Sequence, residues 1–218
     1  MTRRRAAPTD RFDGWIAGVG AESGLRVVVG HWRRSPLGAF TDVMVERPDG
    51  HRVLLAPTPA VADYVAATYR FDEVRVTPVE VTVDGVRWRV DAGPLALRFG
   101  VGRRPVLGVA LRAVPRALAT RVGWIRAADV VARRVLPGVR THGSAHGGRR
   151  EYYAALDLHR IVAAVVTWDG ADQGALARLD PPVRFGFGSA PPDPALVRMV
   201  TLVRHPDATS VTPSAATG

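Results

Sequence analysis

FDEVRVTPVEVTVDGVRWRVDAGPLALRFGVGRRPVLGVALR, residues 71–112, decides the fold. Val79, Val81 and Val83 alternate with Glu80, Thr82 and Asp84; Val86, Trp88 and Val90 then alternate with Arg87, Arg89 and Asp91. A period of two marks strands with one buried face. Asp84-Gly85 between them is a preferred two-residue hairpin turn, because both central residues of such a turn need positive φ. Setting Val83 opposite Val86 brings Val81 to Trp88, Val79 to Val90 and Glu80 to Arg89. A slip of one residue would turn the valines to water, so the register is well specified. The stretch predicts a β-meander that ends in an apolar strand at 106–111.

Toward the N-terminus, LRVVVGHW (25–32) and residues 40–47 are the next strands. Pro48-Asp49-Gly50 is a three-residue hairpin signal that pairs Val45 with Val53 and Glu46 with Arg52, the return strand running to Ala56. Thr58 is an N-cap and Pro59 the first residue of a helix whose Val61, Tyr64, Val65, Thr68 and Tyr69 share a face. Residues 10–20, with three glycines, suggest a short helix or turn.

Toward the C-terminus, 114–136 are helical, with a break near Gly123 and a stop at Pro137-Gly138. A glycine-rich polar loop spans 139–150. EYYAALDLHRIVAAVVTW (151–168) has the length and apolar content of a central strand. Residues 169–182 are turn-rich, and VRFGFGS (183–189) and LVRMVTLVR (196–204) supply the last strands. The expected fold is α+β, a mainly antiparallel β meander forming a curved sheet or cone-like barrel with two or three peripheral helices. Residues 1–9 form a flexible basic arm, 10–205 a single β-rich domain and 206–218 a disordered tail.

The chain has 218 residues, 47% of them apolar, no cysteine, and a formal charge of +10 carried by 30 arginines and no lysine. Disulfides and thiolate chemistry are therefore excluded. No apolar run approaches the roughly 20 residues of a membrane span, and the N-terminus lacks the apolar stretch of a secretory signal; the expected location is the cytoplasm. A basic surface attracts anions, whether nucleic acid, lipid headgroups or small carboxylates and phosphates. Dispersal of the arginines, including doublets at Arg33-Arg34, Arg103-Arg104, Arg133-Arg134 and Arg149-Arg150, argues against a dedicated nucleic-acid arm. The expected partner is a small anionic molecule, with no membrane insertion, no cofactor and room for a homo-oligomer. The rival expectation is a non-catalytic basic module that contacts nucleic acid or a protein.

Reactive residue types are densest at 142–151: His142, Ser144, His146, Arg149, Arg150 and Glu151. Two histidines four apart suit zinc on a helix, but Gly143, Gly147 and Gly148 oppose a helix and no third ligand is near. Ser144 lacks the nucleophile-elbow pattern. Glycines do let backbone N–H groups approach an anion, and arginine forks a carboxylate. Asp157 and His159, two apart on a strand, share a face opposite Leu156 and Leu158, and could pair for proton transfer. Since a strand rises about 3.3 Å per residue, His159 lies roughly 30 Å along from Arg149. The loop arginines, with Arg33 or Arg34, are therefore expected to hold the anion. Glu46, His142, His146, Asp157 and His159 complete the candidate ligand-binding set.

RSPLGAFTDVMVE (34–46), a hairpin, the helix PAVADYVAATYR (59–70) and then a long meander occur in an order that resembles the acetoacetate-decarboxylase-like superfamily of β-cone proteins, over residues 25–110. The resemblance implies a cavity between sheets holding a small carboxylated molecule. Decarboxylases of that family use a lysine Schiff base; this chain has no lysine, so no catalytic residue carries over. Borohydride reduction with acetoacetate is accordingly expected to trap no adduct on any internal side chain. An internal adduct in the mass spectrum would overturn this.

Overall fold

The hairpin at 79–92 forms, with its register moved by two residues. Val83 lies opposite Trp88, Val81 opposite Val90, Glu80 opposite Asp91 and Asp84 opposite Arg87. The two-residue loop is Gly85-Val86 rather than Asp84-Gly85, because only Gly85 takes positive φ (56°), the arrangement that needs glycine at the first central position alone. A shift of two preserves face parity, so the valines keep the side the alternation gave them. Arg89 finds its carboxylate, Asp91, on its own strand.

The structure is a computed structural model that describes residues 9–135, 141–144, 148–186 and 190–205. The basic arm, the stop at Pro137-Gly138, His146 and the C-terminal tail from 206 lie outside the described residues, except that Thr9 opens β1. In chain order the elements are β1 (Thr9–Ala21), β2 (Arg26–Arg34), β3 (Phe40–Glu46), β4 (Arg52–Ala56), α1 (Pro59–Ala66), β5 (Glu73–Val76), β6 (Val79–Asp84), β7 (Arg87–Ala92) and β8 (Leu95–Val101). There follow α2 (Val106–Ala113), α3 (Arg116–Ala119), α4 (Val122–Val135), β9 (His142–Ser144), β10 (Arg150–Trp168), β11 (Ala171–Asp172), β12 (Leu176–Ala177) and β13 (Ala195–Arg204). This is an α+β fold built on one curled sheet with strand order β5-β4-β3-β2-β1-β13-β10-β8-β7-β6. All its pairings are antiparallel except β4 with β5.

That exception corrects the meander's start. β5 does not pair with β6; the two occupy opposite ends of the strand order. Laid flat at about 4.8 Å per strand, they would be roughly 43 Å apart. Thr77 and Pro78 alone join them, a link that reaches about 10 Å. The sheet therefore curls, and its interior is filled by Val27, Val29, Val43, Val45 and Leu55 from one half and Val90, Leu95, Leu97 and Phe99 from the other. Each such side chain, fully removed from water, contributes about 1.5–3 kcal/mol.

The hairpin at 48–50 pairs Val45 with Val53 and Glu46 with Arg52, as expected. Thr58 caps α1 by accepting from the Val61 N–H, with Pro59 following, and Val61, Ala62 and Val65 bury against Leu54 and Ala56.

Three further expectations are corrected. Residues 10–20 are the middle of β1, a 13-residue strand between β2 and β13. Its glycines mark close backbone approach rather than a turn: a Cβ on Gly14 would sit 2.1 Å from the His31 carbonyl oxygen. Residues 106–111 are helix α2, with Leu107 and Leu111 on the Leu158 cluster and Val106 exposed; apolar spacing of four, not two, decided it. Residues 183–186 are not a strand. The Arg184 N–H is satisfied by the Glu46 carboxylate (2.7 Å) and the Phe185 carbonyl by Arg70 (2.8 Å), so no ladder is needed there. In addition, 142–144 form a short strand on β10 within the expected loop.

Gly14→Ala is expected to lower stability by about 1–3 kcal/mol or more. Gly123, which has open space around it in the first turn of α4, should accept alanine with a gain of about 0.4–1 kcal/mol. Urea midpoints of the two variants check both signs.

Candidate functional site

β10 pairs with β13 along most of its length, but the register shifts between Ala155 and Asp157 and again between Ile161 and Ala163. Each shift interrupts the alternation of facing. Glu151, Tyr153 and Ala155 stand opposite Val203, Thr201 and Met199, whereas Asp157 and His159 stand opposite Arg198 and Leu196. The first bulge thus turns Asp157 and His159 to the inner face of the sheet. It also brings Leu156 onto the same wall, correcting the expectation that Leu156 faces away.

That wall belongs to a cavity of about 780 Å³ at one end of the curled sheet. Trp15 and Trp88 form its indole side, with ring centroids 6.2 Å apart. The Gly85-Val86 hairpin, the α2–α3 connection with Arg112 and Arg116, and Arg198 of β13 complete it.

Its electrostatics centre on two carboxylates. Asp13, buried behind Trp15, is shared by Arg198 and Arg116, which donate to its two oxygens. Arg198 also donates to the Gly14 carbonyl (2.6 Å) and lies 4.4 Å over the Trp15 ring. Burial alone would raise the Asp13 pKa, but Arg198, then Arg116 and Arg11, hold it below the usual carboxylate range. Burial likewise works to raise Asp157, and Arg104, whose Nε is 2.8 and 3.0 Å from its two oxygens, outweighs it. The His159 Nδ1 lies 3.0 Å from the Gly102 carbonyl. A carbonyl only accepts, so Nδ1 carries a proton. The other ring nitrogen, Nε2, lies 3.6 Å from Asp157 Oδ2 at the cavity wall.

The other expected site residues lie elsewhere. Arg149 donates to the Tyr64 carbonyl (3.2 Å) and Thr68 Oγ1 (2.8 Å) and covers the Tyr64 ring, so it ties α1 to the start of β10. Arg150 is exposed, as are Arg33 and Arg34; the Arg33 guanidinium is 5.8 Å from the Trp15 ring centre. Glu46 is fully buried between Arg26 (3.3 Å) and Arg184 (2.9 Å). His142 Nδ1 is 3.5 Å from the Asp129 carboxylate. Arg87 and Arg89 stand on the exposed face of their hairpin.

The cavity arginines and Asp13 were missed for identifiable reasons. Reading 10–20 as a turn hid Asp13 and Trp15. Arg198 and Thr201 are the polar residues inside the apolar run 196–203, and a lone charge in such a run was the available signal.

On the opposite face a second polar group is buried. Asp42 accepts from Trp32 Nε1 (3.0 Å), while Glu151 accepts from Tyr69 (3.2 Å) and Tyr153 (2.8 Å). Burial pushes both carboxyls up to about 7, against the pull of those donors and, for Glu151, of Arg149.

No family model matches the chain, and no curated protein matches it. Among solved structures it is similar to acetoacetate decarboxylase from Legionella pneumophila, at 8% identity and a TM-score of 0.43 over 94% of this chain and 88% of that one. It is also similar to a second acetoacetate decarboxylase structure, at 9% identity and a TM-score of 0.40 over 91% and 85%. No activity is taken from either likeness.

A carboxyl whose folded pKa is raised holds a proton that the unfolded chain has released, so its contribution is present below the ordinary carboxylate pKa and lost as pH rises toward 7. His31, lowered by burial and then by Arg33, opposes this below about pH 6.5. The difference between wild type and Asp42→Asn isolates the carboxyl. Urea midpoints at pH 5 and 7.5 are expected to fall less with pH in the variant; parallel profiles would refute the assignment.

Proposed function

We propose that the cavity binds a small organic anion with a flat apolar body. One observation carries this: the cavity's guanidiniums outnumber their carboxylates. Arg116 and Arg198 share Asp13, Asp157 is already balanced by Arg104, and Arg112 has no carboxylate partner among the described residues. An excess of positive charge in a concave, partly desolvated site favours an anionic guest, and arginine suits planar carboxylate or phosphate. Trp15 and Trp88 offer the apolar surface for the remainder of the molecule, and the volume lies within the usual range for small-molecule sites, about 300–1,000 Å³. His159, with its Nε2 at the wall, stands where a proton can pass to or from the guest.

The test compares phenylacetate with phenylacetamide, alike in shape but differing in charge. A saturable rise in melting temperature is expected with the acid alone. Arg112→Ala removes an exposed side chain, so the unliganded melting temperature should hold while affinity for the acid falls roughly ten- to a hundredfold. Equal responses to acid and amide would sink the proposal.

A further inference from the structure

We propose that helix α1 closes over a separate binding site for a small ammonium ion, on the face of the sheet opposite the anion cavity. The site is a pocket of about 50 Å³, room for a guest of water size or slightly larger. Its walls are aromatic. The Phe12 ring stands 5.6 Å from Trp32, 6.3 Å from Phe40 and 5.2 Å from Tyr64, centre to centre. Aromatic rings attract a cation that meets a π face, as the Tyr64 ring does the Arg149 guanidinium 4.8 Å away.

Two carboxylates, which when ionised only accept, line the pocket beside hydroxyls and the Trp32 indole. Asp42, Glu151 and Thr201 line it and are respectively 3%, 2% and 4% exposed. The neighbouring donors are engaged: Trp32 Nε1 on Asp42, and the Tyr69 and Tyr153 hydroxyls, 2.7 Å apart, on Glu151 and on each other. Arg149 directs its hydrogen bonds to the Tyr64 carbonyl and Thr68. Thr201 Oγ1, buried on β13 in the same lining, has no hydrogen-bond partner among the described residues.

A buried hydroxyl left without a partner costs free energy, and buried carboxylates require neutralisation. One guest meets both needs if it carries positive charge and several N–H donors and is no larger than a water or a methylamine. Ammonium and methylammonium satisfy these conditions. An anion is repelled by Asp42 and Glu151, and a neutral water adds no positive charge to that of Arg149.

The experiment measures melting temperature of the full chain at pH 8, above the raised pKa of about 7 that burial gives both carboxyls. Ammonium, methylammonium, tetramethylammonium and sodium chlorides are titrated at constant ionic strength. Ammonium and methylammonium are expected to raise the melting temperature saturably above the sodium baseline. Tetramethylammonium, too large for the pocket, should follow sodium. Thr201→Val keeps the β-branched shape and removes the hydroxyl, and should weaken ammonium binding by roughly tenfold or more; Asp42→Asn should abolish it. If Asp42→Asn does not fold, Thr201→Val decides the matter. Superimposed ammonium and sodium curves would overturn the proposal, leaving the pocket to water and protons. An ammonium response left intact in Thr201→Val would place the binding elsewhere and overturn it equally.

Discussion

Thr77 and Pro78 impose the constraint on which the rest of the structure depends. They connect the two strands that end the strand order, β5 and β6, and so short a link is compatible only with a sheet that curls through most of a turn. Curling creates an inside and an outside. The inside takes the valine and leucine faces of both halves as a packed core, and at one end the Gly85-Val86 hairpin, α2 and α3 surround the cavity. The long strand β10 joins the halves, pairing with β13 near its start and β8 near its end.

Buried charge then fastens the loops and helices to this sheet. Glu46 holds the 183–186 segment through Arg184 and is itself matched by Arg26 on β2. Asp13 reaches α3 through Arg116 and β13 through Arg198. Arg149 joins the start of β10 to α1. Ion pairs of this kind return little net stability once desolvation is counted, but removing one partner is costly because it leaves the other charge stranded. Their effect here is positional: each specifies where an otherwise loosely determined segment sits.

The same strands serve two chemically opposite environments because side chains alternate across a sheet. β1 offers Trp15 to the cavity and Phe12 to the pocket under α1; β13 offers Arg198 to one and Thr201 to the other. β10 would break this pattern, since Glu151 and Asp157 have the same parity. The bulge at Leu156 sends them to opposite faces and so separates the acidic pocket from the arginine-rich cavity.

The sequence by itself determined whatever depends on neighbours in the chain. The hairpin at 48–50 with its register, the Thr58 cap, the strand faces at 79–90 and the length of β10 all follow from turn residues, capping and a period of two. It also excluded lysine and thiol chemistry outright. Tertiary structure decided what depends on partners distant in sequence. Glycines at 14, 18 and 20 suit a turn or a closely packed strand equally well, and the His31 backbone beside Gly14 and the Arg178 backbone beside Gly20 select the strand. The heptapeptide at 183–189 has strand-like alternation, yet through residue 186 the described backbone is satisfied by Glu46 and Arg70 instead of a ladder. Asp157 and His159 were legible as a pair, but the arginines beside them were not. Arg112, Arg116 and Arg198 come from three elements, and no spacing in one dimension records that a curled sheet will bring them to a single wall.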